Sequence, residues 1–171
     1  KDINEFFLNY VIKGWSKILE DVEVDCAYIW EDMAYKSGSM ISPDMFREFL
    51  SPYYKRMVSF LKENGVDIIL VDSDGYIEEL VPLMKEVGVT GLWPWEIQAG
   101  NNLLRVRKNY PDLQIIGGVD KSILRKDKNT IDKELEKVLY LLKKGRFIPH
   151  MDHLIPPDSK WENFKYYRKR L

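Results

Sequence analysis

A chain of 171 residues with 45% hydrophobic and 13% aromatic side chains can bury a sizeable core, which excludes a disordered polymer and makes one domain over residues 1–171 the expectation. With 26 basic against 27 acidic residues and a net charge of -1, no overall field recruits nucleic acid or an anionic membrane, and neither is expected as a partner. The one cysteine, Cys26, excludes an intrachain disulfide and a multi-thiolate zinc site, and with no signal peptide and no membrane-length apolar run a cytoplasmic setting is expected.

From Asn4 to Leu19 the apolar residues Phe7, Val11, Trp15, Ile18 and Leu19 recur at helical spacing, which predicts an amphipathic helix. A short strand over Asp25–Trp30 follows and ends in Glu31 and Asp32, and Lys36-Ser37-Gly38-Ser39 reads as a loop. Ser42-Pro43 and Ser51-Pro52 each pair a helix-capping residue with a proline suited to a first turn, so two consecutive helices, or one broken at Ser51, are expected. Asn64-Gly65 closes that stretch. Next comes Val66–Val71, which past Asp67 is the unbroken apolar run Ile68–Val71, the pattern of a parallel strand covered on both faces, and it stops at Asp72-Ser73-Asp74-Gly75.

A helix from about Tyr76 to Gly88 leads to a third strand, Val89–Trp93, then Pro94-Trp95-Glu96. A helix over Asn101–Asn109 and a fourth strand, Leu113–Val119, end at Asp120-Lys121. In the helix Ile131–Lys144, Leu135, Val138, Leu139 and Leu142 share a face. The fifth strand, Arg146–His150, runs into Met151-Asp152-His153, and Ser159-Lys160-Trp161-Glu162 fits a capping box for the last helix. Strands alternating with helices at this spacing argue for a parallel α/β sheet of right-handed crossovers, with consecutive strands adjacent. A closed eight-stranded barrel takes about 250 residues. The chain is therefore either an open doubly wound sheet or the C-terminal five βα units of a (β/α)8 barrel.

In parallel α/β folds ligands sit at the carboxyl ends of the strands. Those ends deliver Glu31 and Asp32, Asp72 and Asp74, Glu96, Asp120 with Lys121, and Asp152 with His150 and His153. Such acids can exchange protons with mutually raised pKa values or bind a hard metal ion; the ordinary role of any one of them, such as Asp120, is to cap the next helix. His153 divides evenly between a site and a loop hydrogen bond, and His150 reads as buried and neutral. Trp30, Trp93 and Trp95 offer aromatic walls or core packing. Lys121 would steady an anionic substrate or stand solvated. No G-x-G-x-x-G, Walker loop, G-x-S-x-G or C-x-x-C is present, and a calcium-loop reading of Asp72–Gly75 fails because Leu83 stands where the closing acid belongs.

Ile41-Ser42-Pro43 with Phe46-Arg47-Glu48-Phe49 and Pro52-Tyr53-Tyr54-Lys55, then Gly118-Val119-Asp120 and His153-Leu154-Ile155-Pro156-Pro157, resemble the uroporphyrinogen decarboxylase superfamily. Those barrel enzymes include cofactor-free tetrapyrrole decarboxylases and zinc methyltransferases acting on corrinoid proteins. The resemblance implies the C-terminal part of a barrel whose N-terminal part is absent, and a start at Lys1 agrees with a processed product or a piece of something longer. It implies a small-molecule substrate (a tetrapyrrole, corrinoid or methylated compound) and, for a decarboxylase, no cofactor. Catalytic roles would fall to Asp72, His153 and Asp32, and substrate contacts to Asp74, Trp95, Glu96, Asp120 and Lys121. The methyltransferases carry His-x-Cys-Gly where this chain has Asp72-Ser73-Asp74-Gly75 and a cysteine where it has His153, so all three zinc ligands differ. The decarboxylases' catalytic serine corresponds to the neighbourhood of Asp32. The alternative is a methyltransferase-like enzyme holding zinc or another divalent metal through Asp72, Asp74 and His153, and a third reading is a non-catalytic binding fragment. An open edge at Asp25–Trp30 would favour self-association.

Overall fold

The computed structural model describes all residues from Lys1 to Leu171. Helix α1 (Asp2–Leu19) leads into β1 (Cys26–Trp30), and a small antiparallel hairpin, β2 (Ala34–Tyr35) and β3 (Gly38–Ser39), follows. The chain then runs through α2 (Pro43–Met45), a π-helical turn (Phe46–Leu50) and α3 (Ser51–Glu63) into β4 (Ile68–Asp72). Next come α4 (Val81–Glu86), β5 (Gly91–Trp93), α5 (Leu103–Asn109), β6 (Gln114–Val119), α6 (Lys128–Lys144), β7 (Phe147–Met151) and α7 (Trp161–Arg170). The five long-range strands form one parallel sheet in the order β1-β4-β5-β6-β7, with β1 and β7 at the edges. Every strand lies beside its predecessor, as short right-handed crossovers require. The sheet is a partial (β/α)8 barrel.

The period of two along each strand separates two faces. Ala27, Ile69, Val71, Leu92, Ile115 and Phe147 belong to the main apolar cluster, with Val58 and Leu61 of α3, Leu83 and Met84 of α4, Val106 of α5, and Leu135, Val138 and Leu141 of α6. Each of these side chains larger than alanine contributes roughly 1.5–3 kcal/mol by leaving water. The other face carries Tyr28, Trp30, Ile68 and Ile148, all exposed, with Trp30 at 82%. The expected cover on both faces therefore holds for β4 from Ile69 to Asp72 but not for the sheet as a whole.

Several local expectations are corrected. Two α-helices form with a proline in the first turn of each, α2 from Pro43 and α3 from Ser51, but a π-helical turn joins them, so helical structure runs without a gap from Pro43 to Glu63. The Ser51 amide reaches back to the Phe46 carbonyl, and this wide turn accommodates Pro52, which has no amide hydrogen to donate. Ser42 does cap the start, its side chain accepting from the Met45 amide at 3.2 Å. The loop at Lys36–Ser39 instead contains the hairpin turn and β3. In α1 Phe7 and Ile18 are exposed and Leu8 is the buried residue, and in α6 Leu139 points outward while Ile131 and Leu141 are buried. The Ser159 capping box does not form; α7 begins at Trp161 without a side-chain cap.

Candidate functional site at the strand ends

The carboxyl ends of the strands open on a cavity of about 810 Å³ lined by Tyr28, Trp30, Asp72, Trp93, His153 and Arg168 among others. Asp72, the last residue of β4, is 5% exposed and accepts a hydrogen bond from the Tyr28 hydroxyl. Tyr28 pairs with Leu70 in register, so its ring lies on the face that Asp72 shares and reaches one step along the sheet. Burial raises the Asp72 pKa, with the like charges of Asp74 and Asp32 adding to it; the Tyr28 bond and His153 pull the other way. Burial and the same bond to Asp72 push the Tyr28 hydroxyl well above its ordinary value, so it is the donor.

Two residues on, Asp74 lies 3.5 Å from Nε2 of His153. Burial raises its pKa as well; the charge of His153 opposes this, while Glu96 and Asp32 add to it. Gly75 then turns with φ of 82°, and a Cβ there would meet the Ala34 and Tyr35 carbonyls at 2.7 Å, so the position requires glycine. The Gly75 amide is answered by Glu96 Oε2 at 3.0 Å and not by Asp72, which leaves Asp72 free of that capping role. Glu96 Oε1 pairs with Lys121 at 3.1 Å. Ligand atoms of Asp74, Glu96 and His153 lie within 4.8 Å of one another, so the group able to hold a divalent cation contains Glu96 in place of the expected Asp72.

The remaining predicted residues have other work. Trp95 is fully buried with its indole nitrogen donating to the Leu92 carbonyl at 2.7 Å, so it is core and not a substrate contact. Asp120 caps the turn after β6, accepting from the Ser122 amide at 2.8 Å and from Gln98 at 2.7 Å. Asp32 is exposed and lies outside the cavity wall, acting on Asp72 and Asp74 through its charge alone. Glu96 and Lys121 do not line the cavity and pair with each other beside it. Asp152 is fully buried and binds the amides of Ile97 at 2.8 Å and Lys121 at 2.9 Å, which ties the loops after β5, β6 and β7 together. Asn101 does the same between the loops after β4 and β5, accepting from Ile77 at 3.1 Å and donating to the Gly75 and Glu96 carbonyls at 2.8 Å. His150 is exposed on the open face rather than buried, its ring 6.1 Å from that of Trp93.

Sequence reasoning passed over Tyr28 and Arg168 as site residues. Tyr28 carried a usable signal, since it alternates with Trp30 on a strand ending at the rim. Arg168 had none, because only the return of α7 across the strand ends places it on the cavity wall.

A parallel partial barrel with acids and an imidazole on the cavity wall at its strand ends defines an α/β barrel protein. The uroporphyrinogen decarboxylase (URO-D) family model matches residues 9–170, and the chain belongs to that family. It is 24% identical over 168 residues to a uroporphyrinogen decarboxylase of Prochlorococcus marinus subsp. pastoris, an alignment covering 98% of this chain and 44% of the relative. A uroporphyrinogen decarboxylase of Citrifermentans bemidjiense is 29% identical over 105 residues, 60% of this chain and 29% of the relative. The fold is shared with a methyltransferase from Methanosarcina mazei at a TM-score of 0.59 and 20% identity, over 86% of this chain and 41% of that one. The chain thus spans less than half the length of the proteins it matches.

Proposed function

We propose that this chain supplies the strand-end half of an active site in a uroporphyrinogen decarboxylase-like enzyme, where Asp72 and the Asp74–His153 pair move a proton to or from a small-molecule substrate. The supporting observation is that all three groups line one cavity of about 810 Å³, a size that suits a ligand larger than a simple metabolite. A carboxyl whose pKa is raised by burial is a competent proton donor nearer neutrality, and an imidazole beside a carboxylate is oriented for transfer. Tyr28, Trp30 and Trp93 give the cavity aromatic walls that suit a flat body. Two acids on the wall disfavour a substrate dense in carboxylates, so one with fewer is the better fit than the namesake tetrapyrrole.

The test is a panel of carboxylated small molecules assayed for carbon dioxide release by the protein, its Asp72→Asn variant and its His153→Gln variant. Each substitution should lower turnover about 10²-fold or more while the circular dichroism spectrum stays unchanged. Variants that turn over as fast as the parent remove Asp72 and His153 from the chemistry. A second reading rests on the cluster of Asp74, Glu96 and His153, whose oxygen and nitrogen donors suit zinc, iron or manganese once Lys121 releases Glu96. Elemental analysis after incubation with each ion decides it: uptake lost in Asp74→Ala supports a metal-dependent, methyltransferase-like site, and uptake unaffected by that change opposes it.

A further inference from the structure

Away from the strand ends, a second cleft of about 640 Å³ lies between α5 and α6, lined by Leu104, Arg107, Lys108, Pro111, Lys137, Tyr140 and Lys144. Four of these side chains are cationic and none is a carboxylate. Arg107 is 6% exposed, yet its guanidinium meets only carbonyl oxygens, those of Pro111 and Leu113 at 2.8 Å, Arg146 at 2.9 Å and Tyr110 at 3.4 Å. Its Nε is buried without any acceptor. Burial and the neighbouring charge of Arg146 push the Arg107 pKa down, against the opposing charge of Asp112, which makes no hydrogen bond to the guanidinium. Asp112, the nearby acid, is already paired with Lys85 at 2.5 Å.

Other local negative charge does not balance the cleft. Lys137 is paired with Glu134 at 2.6 Å, and Lys144 lies 5.4 Å from the centre of the Tyr140 ring, leaving Lys108 and Lys144 without a carboxylate. The carboxyl ends of α5 and α6 add carbonyl dipoles, each equivalent to about half a charge at most. A surplus of positive charge around one cavity, with a buried guanidinium in its wall, is completed by an anion. A phosphate, with up to two negative charges and more acceptor oxygens than a carboxylate, can answer several cations at once.

We propose that the α5–α6 cleft is an anion site for a small phosphate-bearing ligand, separate from the strand-end cavity. Its test titrates orthophosphate, pyrophosphate and an organic phosphate monoester into the protein at constant ionic strength by calorimetry and amide NMR. The expected result is saturable binding with shifts at Leu104, Tyr140 and Lys144, weakened about tenfold or more in a Lys108→Gln/Lys144→Gln double variant that stays folded by circular dichroism. Tighter binding of the monoester than of orthophosphate assigns the site to a phosphorylated metabolite, and tightest binding of pyrophosphate assigns it to free polyphosphate. Binding unchanged in the double variant, or a response that chloride reproduces at equal ionic strength, overturns the proposal.

Discussion

Asp72 and Asp74 are held on the cavity wall at a cost that depends on pH. Each has an ordinary carboxyl value of 3.8 and each is raised in the folded chain, by burial above all. Between that value and the higher folded ones the native state binds more protons than the unfolded chain, so these groups make stability fall as pH rises through the window. An Asp72→Asn/Asp74→Asn variant escapes this penalty. Thermal melts from about pH 4 to about pH 8 should show the variant gaining on the parent as the pH rises, with the gain complete above the folded pKa values. A constant difference across the series would mean that neither carboxyl is perturbed. These two acids and His153 were legible as strand ends, because an apolar run ending in charge marks the rim of a parallel sheet. Trp95, Asp120 and Asp152 lie equally near strand ends, but a rim residue can turn inward or outward, and only packing decides which.

At the level of elements, periodicity located all five parallel strands and the helices between them, with boundaries shifted by a few residues. The hairpin of β2 and β3 escaped because two-residue strands are too short to show a period. The helix start at Ser51-Pro52 was legible from its residues, but the π turn joining α2 to α3 was not, because it depends on which carbonyl the Ser51 amide can reach and so on geometry rather than residue type. Gly117, inside β6, is a sharper case. Its φ is 104°, and a Cβ there would overlap the Pro94 carbonyl, to which the Gly118 amide also donates at 3.0 Å. Gly117→Ala should therefore cost about 3 kcal/mol or more and lower the melting temperature by roughly 6–12 °C. Gly14 in α1 has no atom within 4 Å of a built Cβ, and Gly14→Ala should raise stability by about 0.5–1 kcal/mol. Paired calorimetric melts check both signs, and an equal response at the two positions would refute the steric argument.

For the whole molecule, the sheet that carries the site is open along one face and at both edges. Trp30 at 82% exposure and Ile148 at 61% stand on the open face, and β1 and β7 each have a single strand partner. An unpaired strand edge beside exposed aromatic surface favours pairing with another chain. Sedimentation of this chain should show a mass above the monomer that grows with concentration, and Trp30→Lys should return it towards the monomer. A monomer at every concentration would show that the open face is tolerated in water.

The ties made by Asn101 and Asp152 have a practical consequence for anyone wishing to lengthen or label this chain. Loops following barrel strands are ordinarily the places where extra residues are accommodated, but here the loops after β4, β5 and β6 each have their spacing set by a buried side chain belonging to another loop. Splicing an epitope into any one of them would pull its neighbours out of register and dismantle the cavity wall with it. The exposed tip at Lys36-Ser37 offers a better splice point, because its side chains take no part in that stitching.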